Sequence, residues 1–193
     1  MIYTADNKFL DYAVSLLEDG DIIAYPTDTL YGIGVDATNT DVIHKVNHIK
    51  GRTQPLSIIL ENIEDIHKYA EMSNTQQAEI KNLFPGPYTV LLKKKESDLS
   101  PLITLDSPLI GIRIPKHPFP IQLVKALGKP IITTSINRHG TEPLNDISQV
   151  AIDFPDIIIF EDQVVKNSKG STIVDLTQNK HKVIRVGDGK YPL

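Results

Sequence analysis

The chain has 193 residues, 20 Lys and Arg against 24 Asp and Glu for a formal net charge of −4, 40% hydrophobic residues and no cysteine. One core can be built from this, since single cores commonly run to roughly 100–200 residues, and global disorder is excluded. Disulfides, thiolate nucleophiles, zinc ribbons and iron–sulfur clusters are excluded with the thiols. No apolar run approaches the ~20 residues of a membrane span, the first residues carry no basic-then-apolar leader, and a pI near 5.8 argues against binding nucleic acid through global charge. The expectation is a soluble, cytoplasmic chain forming a single domain over residues 1–193.

In chain order, residues 7–19 carry Phe9, Leu10, Ala13, Leu16 and Leu17 at helical spacing, with Gly20 as a C-terminal cap. Residues 21–25 read as a buried strand stopped by Pro26, and 27–39 as a polar, glycine-bearing loop. Thr40 or Asp41 caps a helix whose apolar positions Val42, Ile43, Val46 and Ile49 lead to Lys50, where Gly51 breaks it. A strand over 56–60 and helices over 63–71 and 75–84 follow, ended by Pro85-Gly86-Pro87. Strands over 88–92 and 109–114 flank a loop whose Lys93-Lys94-Lys95 run is a solvated turn. Pro118 starts a helix capped by Gly128, 130–134 is a strand, 146–154 a short helix, and 157–160, 172–176 and 182–186 are strands. The alternation predicts an α/β (α+β) fold, a twisted mixed β-sheet flanked by helices, with no internal repeat or linker.

Several motifs are decoys. Gly32-x-Gly34-x-x-Ala37 has the letters of a dinucleotide fingerprint, but six residues separate it from the preceding strand and no helix begins at its end, so it reads as a flexible loop. There is no G-x-x-x-x-G-K-[ST] phosphate loop. His44 and His48 stand four apart on a helix but lack a third ligand and the Glu of H-E-x-x-H, so no metal site is expected. Ser135 sits in no G-x-S-x-G elbow.

Chemistry concentrates elsewhere. Two apolar runs turn polar abruptly, at Tyr25-Pro26-Thr27-Asp28-Thr29 and at Thr133-Thr134-Ser135-Ile136-Asn137. Strand alternation puts Thr133, Ser135 and Asn137 on one side and Ile132, Thr134 and Ile136 on the other, a ladder of hydroxyl and amide groups at the carboxyl end of a central strand. Lys50-Gly51-Arg52 offers an ammonium and a forked guanidinium able to face one polyanion, a triphosphate being such a partner. Arg113 stands in an apolar strand where an unpaired charge is costly, so it requires a carboxylate from the protein or from a ligand; Arg185 raises the same question.

Five segments fall in order: Tyr25-Pro26-Thr27-Asp28-Thr29-Leu30-Tyr31-Gly32-Ile33-Gly34, Lys50-x-Arg52, Pro85-Gly86-Pro87-Tyr88-Thr89, Ile112-Arg113-Ile114-Pro115 and Ser135-x-Asn137. Together they resemble the YrdC/TsaC-type threonylcarbamoyl-AMP synthases in their short, single-domain form, over about residues 21–185. The resemblance implies a YrdC-like fold with a concave, locally positive ligand-binding face. It implies a nucleotidyltransferase reaction in which L-threonine, bicarbonate and ATP, with Mg²⁺, give threonylcarbamoyl-AMP and pyrophosphate. A tRNA-modifying transferase complex then takes the product for adenosine modification in tRNA processing. It also implies site residues: Lys50 and Arg52 as the catalytic cations, Lys50, Arg52, Ser135, Asn137 and Arg185 on ATP, and Thr29, Tyr31, Arg113, Thr133 and Ser171 around threonine. The role of Asp28 stays open. After Arg52 many relatives run Pro and then a short Asp-Asn-Pro-Leu-type segment where this chain has residues 53–59, and longer relatives carry a substrate-touching His where Ile59 stands, which marks one wall of the site as different. Both Lys50 and Arg52 are expected to lie outside any apolar face, so that removing either leaves the fold intact.

Two rivals belong beside this reading. A non-enzymatic module binding structured RNA or tRNA needs basic residues interleaved with aromatics, and 6% aromatic residues do not favour it. A carbamoyl-adenylate-forming enzyme for another substrate resembles the related domain of hydrogenase-maturation carbamoyltransferases, which carry further domains.

Overall fold

Neighbouring residues along each central strand pack into different cores, as a period of two requires. Ile23, Tyr25, Ile59, Ile131 and Phe160 join Ala13, Leu16, Leu17, Phe119 and Leu123. Ala24, Ile58, Ile132 and Ile159 join Val42, Ile43, Val46, Ile80, Leu83 and Val150 instead. A sheet buried in this way has helices on both faces.

The structure, a computed structural model, describes residues 1–51, 53–137, 140–165, 167–178 and 180–191. Its strands are β1 (Ile2–Thr4), β2 (Ile23–Tyr25), β3 (Gly32–Gly34), β4 (Ser57–Ile59), β5 (Tyr88–Lys93), β6 (Leu109–Arg113), β7 (Ile131–Ser135), β8 (Ile158–Glu161), β9 (Thr172–Asp175) and β10 (Lys182–Arg185). Its helices are α1 (Leu10–Glu18), α2 (Thr40–Lys50), α3 (Ile66–Tyr69), α4 (Asn74–Leu83), α5 (Pro118–Leu127) and α6 (Ile147–Asp153). The strands form one mixed sheet in the order β1-β8-β2-β3-β7-β4-β6-β5-β9-β10. Helices α1 and α5 lie on one face, and α2, α4 and α6 on the other.

The expected α/β architecture is therefore present, with differences in detail: the helix expected over 63–71 shrinks to α3, and the Lys93-Lys94-Lys95 run is no solvated turn, since Lys93 ends β5 and Lys94 bridges to Ala70. Residues 27–39 are not all loop: Gly32-Ile33-Gly34 is β3, antiparallel to both β2 and β7. Glycine is a poor strand former, which hid this segment. Here it is required by packing, because a Cβ on Gly34 would stand 2.6 Å from Cε1 of the buried Tyr25 ring. A second strand, β1, escaped notice because it is three residues long and pairs only with the distant β8. Helix α2 is capped by Asn39, whose Oδ1 accepts from Val42 N at 3.2 Å, rather than by Thr40 or Asp41. Its far end closes as expected, with Gly51 left-handed at φ 64°.

Candidate active site

One face of the sheet changes character along its strands. Ile131 pairs with Ile59, and Ile59 with Arg113, under the cover of α1 and α5. Two residues further along, on the same side by alternation, Thr133 pairs with Ser57 and Ser57 with Gly111, while Ser135 pairs with Gly32. On the outer strands Thr89 pairs with Ile173, and Ile173 with Arg185. This uncovered half of the face is small and polar, and a cavity of about 250 Å³ opens over it. Thr29, Tyr31, Arg113, Thr133, Ser135, Ser171 and Arg185 line it, so seven of the ten residues singled out in the sequence meet there. Thr134 contributes to the lining as well, although alternation assigned it to the other side. Ile132 and Ile136 do join the opposite core.

The turn after β2 places Thr29. Thr27 Oγ1 donates to the Leu30 carbonyl at 2.7 Å and accepts from Thr29 N at 3.0 Å, a side-chain-closed turn that exposes Thr29 Oγ1 to Arg113 Nη2 at 3.1 Å. Asp28, left open by sequence reasoning, is the carboxylate Arg113 required. Its Oδ1 lies 2.9 Å from Arg113 Nη2 and its Oδ2 accepts from Lys116 N at 2.9 Å. Arg113 Nε is buried and has no hydrogen-bond partner among the described residues. A buried, unpaired donor beside a cavity is a place for a ligand acceptor.

Lys50 is reached from the opposite direction. It is 2% exposed, and its ammonium donates to the Ser135 carbonyl at 2.5 Å and to Asn137 Oδ1 at 2.9 Å. Asn137 Oδ1 also accepts from Ser135 Oγ at 2.8 Å, and its Nδ2 donates to the Thr141 carbonyl at 2.8 Å. The helix tail and the hydroxyl strand therefore converge, as the spacing suggested. The expectation that Lys50 lies outside any apolar face is overturned: its long stem is buried and only its charged end emerges among polar groups. Arg52 lies outside the described residues.

On the outer side, Ser171 Oγ is 2.8 Å from Thr89 Oγ1 and accepts from Arg185 Nη2 at 3.0 Å, while Arg185 Nε and Nη2 both donate to the Ser171 carbonyl, at 3.1 and 2.8 Å. Burial lowers the Arg185 pKa, and the nearby positive Arg113 adds to the shift. Tyr31 forms a wall: its hydroxyl donates to the Asp162 carbonyl and accepts from Asp162 N at 3.2 Å, and burial raises its pKa.

Sequence reasoning passed over Thr89 and Lys169 as site residues, whereas Gln54, Pro55, Leu56 and Ser57 of the departing 53–59 segment do line the cavity. Thr89 stood within a quoted motif and could have been found by carrying strand alternation back from Leu91. Ile59 itself is fully buried against α5, while Leu56 and Ser57 of the same segment line the cavity. His44 and His48 are both exposed on α2. Among the described residues the lining holds three cations, Arg113, Lys169 and Arg185, and no carboxylate. These donors suit anions and do not suit Mg²⁺, a hard cation that seeks oxygen ligands.

Fold and site together define a mixed α/β protein with a cavity lined by cationic and hydroxyl side chains on the open half of a sheet face. Residues 15–187 match the Sua5/YciO/YrdC family model, described as telomere recombination, and the chain belongs to that family. It is 32% identical over 188 residues to the threonylcarbamoyl-AMP synthase of Bos taurus, covering 91% of this chain and 66% of that one. To the threonylcarbamoyl-AMP synthase of Aliivibrio fischeri (strain ATCC 700601 / ES114) it is 30% identical over 175 residues, covering 87% of this chain and 94% of that one. The crystal structure of P. abyssi Sua5 complexed with L-threonine superposes with a TM-score of 0.89 at 26% identity, covering 97% of this chain and 57% of that one. The chain thus spans less than two thirds of the bovine and P. abyssi proteins. Among the described residues no helix is long and apolar enough to cross a membrane.

Proposed function

We propose that this chain is an L-threonylcarbamoyladenylate synthase, an adenylyl-transferring enzyme that converts L-threonine, bicarbonate and ATP to threonylcarbamoyl-AMP and pyrophosphate. The observation that carries the reading is the junction of two cation-bearing groups at one cavity: Arg113 with its free Nε and Arg185 on one side, and Ser135, backed by the Lys50 ammonium, on the other. An amino acid with a carboxylate and a nucleotide with a polyphosphate are the anions that such a pair of groups accommodates. The named activity of the relatives and the threonine complex of P. abyssi Sua5 support the same choice.

In this reading Arg113 pairs the threonine carboxylate, and Thr29, Tyr31, Thr133 and Ser171 surround the rest of the amino acid. Ser135, Asn137 and Arg185 hold ATP, with Lys50 and Arg52 supplying positive charge for its phosphates. The threonine amine adds to the carbon of bicarbonate, a C–N bond forms, water leaves, and a carbamate results. A carbamate oxygen then attacks the α-phosphorus, the bond between Pα and its bridging oxygen to Pβ breaks, and pyrophosphate departs with that electron pair. No protein nucleophile is needed; the chain aligns the reactants and stabilises negative charge. Mg²⁺ enters as part of the Mg·ATP substrate. The product passes to a transferase complex acting on tRNA in the cytoplasm, and residues 1–193 act as a single YrdC-like domain.

Pyrophosphate release in the presence of ATP and bicarbonate, measured with each amino acid in turn, tests the proposal. Release strictly dependent on threonine is expected. Release without any amino acid, or with another in its place, refutes it.

A further inference from the structure

The cavity wall made by Lys169, Gly170 and Ser171 belongs to no helix or strand. What shapes it is a segment that follows β10. The Asp188 carboxylate accepts from Ser168 Oγ at 2.5 Å through Oδ2 and from Lys169 N at 2.8 Å through Oδ1. Asp188 N in turn donates to the Gly170 carbonyl at 2.8 Å, and Ser168 Oγ accepts from Gly170 N at 3.0 Å. One residue thus engages three consecutive positions, Ser168, Lys169 and Gly170, the last two of which belong to the wall. Asp188 is not among the lining residues.

The segment is seated too closely to shift. A Cβ on Gly187 would stand 2.2 Å from the Gly170 carbonyl oxygen, and one on Gly189 would stand 2.4 Å from Cε1 of Tyr88. Thr172 Oγ1 accepts from Gly187 N at 2.9 Å and donates to the Gly189 carbonyl at 2.6 Å, while Tyr88 OH donates to the Lys190 carbonyl at 2.9 Å. Residues 187–190 enter neither apolar core, so their contacts serve the wall more than the body of the fold.

We propose that Asp188 is a positioning residue of the substrate cavity. It holds the Ser168–Ser171 turn so that Ser171 meets Thr89 and Arg185, and it does this without touching substrate. This rests on the functional reading above. A carboxylate suits the position because it accepts two hydrogen bonds at once from the same turn, with charge strengthening both.

The test compares Asp188→Ala, Asp188→Asn, Ser168→Ala and the Ser168→Ala/Asp188→Ala double variant, by steady-state pyrophosphate release and by hydrogen exchange at the Lys169 and Gly170 amides. Asp188→Ala should raise the KM for L-threonine about tenfold, the scale of one charge-assisted hydrogen bond, with kcat changed by less than about threefold. Asp188→Asn, whose Oδ1 still accepts from Lys169 N, should recover much of that loss, and the double variant should be little worse than Asp188→Ala alone because both act through one turn. In Asp188→Ala the two amides should exchange about tenfold faster. An active Asp188→Ala enzyme with wild-type KM and wild-type exchange overturns the proposal, as does a fall in kcat with KM unchanged. If the wild-type chain shows no threonine-dependent turnover while Asp188→Ala still loosens the two amides, the substrate reading falls and the positioning role stands. Should Asp188→Ala fail to fold, Asp188→Asn and Ser168→Ala carry the same comparison.

Discussion

Replacing Asp28 by alanine removes the partner of a buried guanidinium. The two side chains are only 9% and 10% exposed, with Arg113 Nη2 2.9 Å from Asp28 Oδ1. At charge separations near 4 Å and an effective dielectric constant of about 20, their attraction is worth roughly 4 kcal/mol. Breaking such a pair by deleting one member typically costs about 3–5 kcal/mol, because the remaining charge stays desolvated. Among the described residues Arg113 would keep the Thr29 hydroxyl at 3.1 Å, and Lys116 N would lose the Asp28 acceptor. Water from the adjoining cavity can reach Arg113, which brings the expected cost to the lower end, about 3 kcal/mol. For a chain of this size that lowers Tm by about 6–12 °C. Urea unfolding of Asp28→Ala, Arg113→Met and the double variant measures it. Losses in the double variant should fall short of the sum of the singles by about 2 kcal/mol, since the second substitution removes the stranded charge left by the first. An Asp28→Ala variant within about 0.5 kcal/mol of wild type, or strictly additive singles, would refute the pairing as the reason Arg113 is tolerated in its strand.

Lys50→Met should both destabilise and inactivate. Two charge-assisted hydrogen bonds of roughly 1.5–3 kcal/mol each are lost, offset in part by relief of the ammonium's desolvation, for a net of about 1–3 kcal/mol in urea unfolding. Wild-type turnover in this variant would remove Lys50 from the reaction. His117 provides a pH test. It caps α5 by accepting from Phe119 N through Nδ1 at 3.3 Å, and burial lowers its pKa against the opposing pull of Asp162. With the folded pKa below the unfolded value of about 6.5, the unfolded chain binds more protons between the two, so stability falls as pH drops from about 6.5 through the folded pKa. His117→Asn keeps a capping acceptor and should flatten that part of the curve; an unchanged slope in the variant would show that another group is responsible.

Much of the frame was legible because it rests on local rules. Helix α2 announced its last turn through Gly51, and β7 announced its buried and hydroxyl sides through alternation from Ile131 to Ser135. What was hidden depended on partners distant in sequence. Gly32 and Gly34 make a strand only because Tyr25 lies across them, and no local propensity expresses that. Lys50 was expected outside any apolar face, since a basic residue in the last turn of a helix is already favourable there. Its burial becomes apparent only once Ser135 and Asn137, more than eighty residues away, are placed beside it. Asp28 and Arg113 were each conspicuous as charges near apolar runs, but their pairing required β6 to pass the turn after β2. Ser168 and Asp188 carried no motif at all.

The floor of the recess is made of residues that have almost nothing left to remove. Gly32 has no side chain, Ser57 has a single hydroxymethyl group, and a Cβ on neighbouring Gly111 would come within 2.4 Å of Ser57 Oγ. Substitution there runs in one direction: mutation can raise this floor but cannot deepen it without moving the strands themselves. If the proposed function holds, remodelling the cavity for a bulkier amino acid would therefore have to proceed at the rim, at the side chains of Leu30, Pro143 or Lys169, while the sheet sets a depth limit that the rim cannot alter.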